Sequence, residues 1–152
     1  MENLFSVEGK VVVITGGGGI LGRGMAEHMC SQGASVVILD RSEEAGNKLA
    51  NELIAKGYEA SYFYCDVLNN EVLEQNSKDI VAKYGRIDVL VNAAGGNMPG
   101  ATIGPDSTIF DLQMDAFRKV VDLNLFGTVM PTMVFAKVMV QQKKGSIINI
   151  SS

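Results

Sequence analysis

The stretch that decides the fold is Val11-Val12-Val13-Ile14-Thr15, which runs straight into Gly16-Gly17-Gly18-Gly19-Ile20-Leu21-Gly22-Arg23-Gly24. A buried strand ends there and a glycine-rich turn opens a helix. Chains adopt this arrangement where backbone must approach a phosphate closely. Side chains would block the approach, and the N–H groups at the helix N-terminus point at the anion. The turn therefore points to a nucleotide and leaves the reaction open, because enzymes of several classes share it.

Outward from that turn, apolar strand-like runs alternate with longer helical patterns. The spacing predicts strands over Val11 to Thr15, Ser35 to Leu39, Ala60 to Tyr64, Val89 to Val91 and Ser146 to Ile150. It predicts helices over Ile20 to Gln32, Glu43 to Lys56, Glu71 to Tyr84 and Met114 to Lys143. The strands are near-continuously apolar, as expected when both faces are buried in a parallel sheet covered by helices. Gly33, Gly57, Gly85 and Gly145 each follow a helical stretch, where a left-handed cap is wanted. The fold class is α/β, a doubly wound parallel sheet of the Rossmann type with five strands, and residues 1–152 form one dinucleotide-binding domain.

Composition excludes several partners. The chain has 152 residues, 47% of them hydrophobic, and a formal net charge of -4. That suits one globular core. No basic run marks a nucleic-acid or anionic-membrane surface. The opening Met1-Glu2-Asn3-Leu4-Phe5 does not read as a signal peptide, and no apolar run is read as long enough to span a bilayer. Cys30 and Cys65 offer neither a disulfide framework nor metal spacing, and His28 stands alone, so no metal site is expected. A reduced, cytoplasmic compartment fits best.

Two places break the regular pattern. Residues 94–113 form a long connection with four glycines and two prolines. Such loops after the carboxyl ends of strands build the ligand crevice. The last helix is apolar all round: 14 of the 21 residues from Val120 to Val140 are Ala, Val, Leu, Met or Phe. It should be buried on every side, against more of the protein or another subunit, which suggests a homo-oligomer. Pro131 should kink it by removing the bond to the Gly127 carbonyl.

Asp40 ends the second strand, 18 residues after Gly22. A carboxylate there can accept hydrogen bonds from both ribose hydroxyls and repels a 2′-phosphate, which favours NAD over NADP. Arg41 beside it could serve a 2′-phosphate, and Asp40 could instead cap the next helix, as Ser42 also could. Asp66-Val67 follows the third strand. It could touch an adenine, or Asp66 could cap a turn before Asn69-Asn70; spacing leaves both open.

Four motifs now stand in order: Thr15-Gly16 with Gly22, then Asp66-Val67, then Asn92-Ala93-Ala94-Gly95, and finally Asn124-Leu125-Phe126-Gly127 followed by Ile147-Ile148-Asn149-Ile150-Ser151-Ser152. Together they resemble the short-chain dehydrogenase/reductase family from Gly9 to the end of the chain. The resemblance implies that Gly16, Gly22 and the neighbouring Gly18, Gly19, Ile20 and Leu21 line a pyrophosphate site. It implies that Asp40 selects NAD, although Arg41 beside it could serve NADP, and that Asp66 and Val67 meet the adenine. Asn92, Ala93, Ala94 and Gly95 would support the central strand and pass beside the cofactor. Asn124 would join a proton relay through a bound water; on the residues alone it could instead satisfy backbone groups at a helix distortion. Ser152 would be the catalytic serine that hydrogen-bonds the substrate oxygen. Two substitutions depart from the family pattern: Ile20 stands where the turn usually has its middle glycine, and Ala93 replaces a commoner asparagine.

The family's Tyr-x-x-x-Lys pair, which exchanges the proton with substrate, comes after the serine. None of Tyr58, Tyr62, Tyr64 and Tyr84 has a lysine four residues on. A chain ending at Ser152 is therefore expected not to turn over substrate and to leave its last strand as an open edge. The implied activity is NAD-dependent interconversion of a secondary alcohol and a ketone. The loop from Gly95 to Leu112 is similar to that of the bacterial sugar-acid members of the fructuronate reductase (D-mannonate oxidoreductase) group. Gluconate-type or other polyol dehydrogenases, and a non-catalytic NAD-binding module, are the alternatives; a methyltransferase using S-adenosylmethionine shares the glycine turn and the acid after the second strand but does not explain Asn92-Ala93-Ala94-Gly95 or Asn124 with Gly127.

Overall fold

Five strands, β1 (Val11–Thr15), β2 (Ser35–Asp40), β3 (Ala60–Tyr64), β4 (Val89–Asn92) and β5 (Ser146–Asn149), form one sheet in the order β3-β2-β1-β4-β5. Every pairing is parallel. The structure is a computed structural model and describes residues 5–151. The chain leaves β1 toward β2 and β3, then returns to the other side of β1 for β4 and β5. The switch point thus lies between β1 and β4, where such folds hold their ligands.

Alternation along β1 shows why the strand is apolar throughout. Val11 and Val13 enter one buried cluster, with Leu90, Val134 and Phe135. Val12 and Ile14 enter the other, with Ala26, Ile38, Leu49 and Leu53. The first cluster lies under α3 (Asn70–Tyr84) and α5 (Gly127–Gln142), the second under α1 (Ile20–Ser31) and α2 (Glu43–Ala55). Asp88 ties the start of β4 to β1: its buried carboxylate accepts from the Val11 N–H at 2.9 Å and pairs with Arg86. Residues of β5 are all exposed along an edge.

The left-handed caps fall at Gly33, Gly57 and Gly85, as expected, with φ of 84°, 84° and 75°. The fourth does not. Lys143 takes the positive φ after α5, not Gly145, where a Cβ would press on Met139. The single helix expected from Met114 to Lys143 is also divided. It forms α4 (Met114–Val121), a π-turn over Asp122–Phe126, and α5. The ladder is interrupted in that π-turn, where the Gly127 N–H reaches back to the Asp122 carbonyl, while α5 continues through Pro131.

Within this chain the helical run is covered on one face, and the other is left for more of the protein or another subunit to cover. Val134, Phe135 and Met139 face the sheet, whereas Phe126, Val129, Met133 and Val140 are exposed. Taken together, Met114–Gln142 is also long and apolar enough, by length and composition, to cross a membrane, contrary to the reading of the sequence. Its inner face is part of the sheet's core cluster.

Candidate functional site

The turn after β1 is shaped by two glycines that admit no side chain. Gly16 has φ +65°, and a Cβ on it would sit 2.8 Å from the Ala94 Cα and 2.9 Å from the Ala93 carbonyl oxygen. At Gly22 a Cβ would lie 2.3 Å from the Gly16 carbonyl oxygen. The turn is thus folded back on the first turn of α1 and pressed against the exit of β4. Buried Thr15 fixes the second contact: its Oγ1 accepts from the Ala93 and Ala94 N–H groups, each at 3.2 Å. Gly19 is the N-cap of α1, and no acidic residue stands in the first turn. The first-turn N–H groups have no intrahelical partner, so this end is suited to an anion. Ile20, in place of the usual glycine, is 93% exposed and lines the cleft without obstructing the turn's backbone.

A cleft of about 360 Å³ opens over this turn. Its floor and walls take in Gly16, Gly19, Ile20, Leu21 and Gly22 from the turn, Asp40 and Arg41 from the end of β2, and Ala93 to Gly95 from beyond β4. Cys65, Val67 and Leu123 close the side. A second recess of about 650 Å³ shares Leu21 and Ala93 to Gly95 with the first and extends past Asn97, Asn124, Thr128, Asn149 and Ser151. The two form one continuous trough across the switch point.

Asp40 stands at one end. Its Oδ2 accepts from the Gly18 N–H at 3.0 Å and its Oδ1 from the Ser42 N–H at 2.9 Å. Gly18 therefore acts through Asp40 rather than in the cleft wall. Ser42, not Asp40, caps α2, accepting from the Ala45 N–H. A carboxylate has about four acceptor positions, so Asp40 keeps capacity for ribose hydroxyls. At Asp66 the carboxylate closes a turn by accepting from the Leu68 N–H at 3.0 Å, while its neighbours Cys65 and Val67 form the wall. Burial pushes the Cys65 thiol up to about 12, so it is a packed wall group at neutral pH and not a thiolate nucleophile.

Asn92 is buried below the trough. Its Nδ2 donates to Thr132 Oγ1 at 3.0 Å and to Asn149 Oδ1 at 2.9 Å, tying β4 to α5 and β5. Asn124, in the π-turn, clamps the loop after β4. Its Nδ2 donates to the Gly96 and Val120 carbonyls, each at 2.8 Å, and its Oδ1 accepts from the Gly96 N–H at 3.2 Å. A Cβ on Gly95 would meet that Oδ1 at 2.7 Å, so any larger residue there would have to displace the Asn124 clamp. Ser152 lies outside the described residues; Ser151 beside it reaches the second recess. Among the described residues no group of three or more His, Cys, Asp or Glu could hold a metal.

Reasoning from the sequence missed Thr15, Cys65 and Leu123 as parts of this site. Thr15 carried a signal, since it stands where the strand meets the turn. The other two are brought in only by the fold.

The family model described as short chain dehydrogenase matches residues 10–152. An uncharacterized oxidoreductase of Haemophilus influenzae is 35% identical over 97% of this chain and 55% of its own length. UxuB of Bacillus subtilis, also an uncharacterized oxidoreductase, is 36% identical over 99% of this chain and 56% of its own length. The chain thus spans about half the length of the curated relatives it matches. Among solved structures, a Haemophilus protein provisionally described as a D-mannonate oxidoreductase, with bound NAD, superposes with a TM-score of 0.88 at 34% identity. That match covers 96% of this chain and 56% of the other. An NAD⁺-bound xylitol dehydrogenase gives 0.87 at 30% identity, over 96% and 54%. A metagenomic short-chain oxidoreductase in complex with NADP gives 0.84 at 31%, over 97% and 64%.

Proposed function

This chain belongs to the short chain dehydrogenase family, and from that premise we propose that it forms the cofactor-binding part of an NAD-dependent oxidoreductase that interconverts a secondary alcohol and a ketone. The observation that carries the reading is the trough itself: an anion-ready helix end lies between a ribose-ready carboxylate, Asp40, and a recess rich in polar groups. Gly16, Gly19, Leu21 and Gly22 would hold the pyrophosphate by backbone, Asp40 the adenosine ribose, and Cys65 to Val67 the adenine. Ala93, Ala94 and Gly95 are small enough to let the nicotinamide half pass.

Bound NAD would supply the hydride acceptor. Ser152 would hydrogen-bond the substrate oxygen, and Asn124, in the wall of the second recess, would support the proton relay through water from its place in the π-turn. The tyrosine and lysine that complete the family's proton exchange would come from the remainder of the protein. We infer a sugar acid of the D-mannonate type as substrate, supported by the NAD-bound Haemophilus neighbour and by Asn97, Asn149 and Ser151 in the recess. A polyol is the second reading, favoured by the xylitol dehydrogenase neighbour. The full-length protein with NAD and D-mannonate is expected to produce NADH. Ser152→Ala should lower kcat by about 10²–10³-fold, the scale of one lost hydrogen bond to the reacting oxygen. NADH binding without turnover of any sugar acid or polyol would instead mark a non-catalytic module.

Asp40→Ala should weaken NADH and relieve the exclusion of NADPH. The loss per charged hydrogen bond is about 1.5–3 kcal/mol, which titration of both cofactors would read directly. We also infer a homo-oligomer, paired through the exposed apolar face of Phe126, Val129 and Met133. Met133→Asp in the full-length protein should shift light scattering toward the monomer; an unchanged mass would place the interface elsewhere. The two unpaired cysteines, both buried, support a reducing compartment such as the cytoplasm.

A further inference from the structure

The carboxylate of Asp40 is placed by its backbone, and that backbone is held from below. The Asp40 carbonyl oxygen accepts two hydrogen bonds, one from the Cys65 N–H at 3.0 Å and one from the Tyr62 hydroxyl at 3.1 Å. Tyr62 sits in β3, paired in register with Ile38 of β2, two residues before Asp40. Its ring packs against Gly46, the fourth residue of α2. A Cβ there would come within 2.2 Å of two ring carbons, Cδ2 and Cε2. Glycine is costly inside a helix, so its presence needs a packing reason, and the ring is that reason.

A phenylalanine would fill the same space, which leaves the hydroxyl to be explained by its acceptor. Burial, with the carboxylates of Glu43 and Asp40 nearby, pushes the phenol up to about 12, so it remains a donor at neutral pH. The arrangement closes on itself. Tyr62 rests on α2, α2 begins at Ser42, and the Ser42 N–H holds the Asp40 carboxylate that Tyr62 holds by its carbonyl.

We propose that Tyr62 is a positioning residue for cofactor selection: seated on Gly46, its hydroxyl fixes the Asp40 backbone so that the carboxylate stays at the ribose end of the cleft. A fixed carboxylate both accepts from ribose hydroxyls and repels a 2′-phosphate; a loosened one does each less well. The inference rests on the reading of Asp40 as the ribose-binding group.

The test uses the full-length protein and titrates NADH and NADPH by fluorescence. Tyr62→Phe is expected to raise the Kd for NADH about three- to tenfold, the range for one lost hydrogen bond, while the Kd for NADPH does not rise. The preference between the two therefore narrows, a change that simple loss of stability would not produce. Gly46→Ala should narrow it in the same way, and should add nothing in a Tyr62→Val background, where the ring is gone. Asp40→Ala serves as the reference and should abolish the preference. If it leaves the preference intact, the reading of Asp40 fails and the inference with it. If Asp40→Ala abolishes the preference while Tyr62→Phe weakens both cofactors alike, or neither, the inference about Tyr62 alone is overturned.

Discussion

A Gly22→Ala protein is expected to bind NADH roughly five- to 150-fold more weakly than the parent and to unfold at lower urea concentration. The added methyl would lie 2.3 Å from the Gly16 carbonyl oxygen and 2.6 Å from the Gly17 Cα. Both obstacles are backbone, so no rotamer change relieves them. The turn can only open, away from the geometry that aims the first-turn N–H groups at a phosphate. Overpacking of this kind costs about 1–3 kcal/mol, and 1.4 kcal/mol is tenfold in an equilibrium constant. Gly24→Ala, two residues on, is the matched control. Nothing lies within 4 Å of a Cβ there, and alanine is the better helix former, so stability should hold or rise and NADH binding should not change. Equal losses in both variants would show that the turn's shape is not what binding depends on.

Phe135→Ala is expected to cost about 3–5 kcal/mol in urea unfolding, a large part of the ~5–15 kcal/mol that holds a domain of ordinary stability. Phe135 is fully buried and lies in the cluster that joins α5 to Val13, Leu90 and Leu73 across the sheet. Removing it would leave a cavity under the helix that also carries Thr132, the acceptor for Asn92. The loss should therefore reach β4 and the trough wall as well. A cost below about 1 kcal/mol would mean that α5 is not packed on the sheet as described.

The sheet was legible because its strands obey one simple rule. Val11 to Ile14 are apolar at every position, and the structure buries alternate residues on opposite faces. The turn after β1 was legible for a comparable reason: at Gly16 and Gly22 only glycine fits, so the spacing of glycines is a record of close backbone approach. Gly33, Gly57 and Gly85 mark helix ends by their positive φ in the same way.

Where the reading went astray, one local signal stood for a tertiary fact. Gly145 looked like a cap, but Lys143 takes the left-handed conformation, and glycine at 145 instead makes room for Met139. The single helix read from Met114 to Lys143 is divided by a π-turn at Asp122–Phe126 that contains no proline or glycine; it shows in the backbone, where the Gly127 N–H reaches the Asp122 carbonyl, and in Asn124, which clamps the loop after β4. Cys65 and Leu123 join the cleft from elements distant in sequence, through contacts that no local pattern encodes.

The most direct test of the central claim is a titration of the full-length protein with NADH, NADPH and S-adenosylmethionine. The trough, with Asp40 at its ribose end, predicts saturable NADH binding between about 1 μM and 1 mM, weaker NADPH binding and no response to S-adenosylmethionine. Tight binding of S-adenosylmethionine with no response to NADH would contradict it.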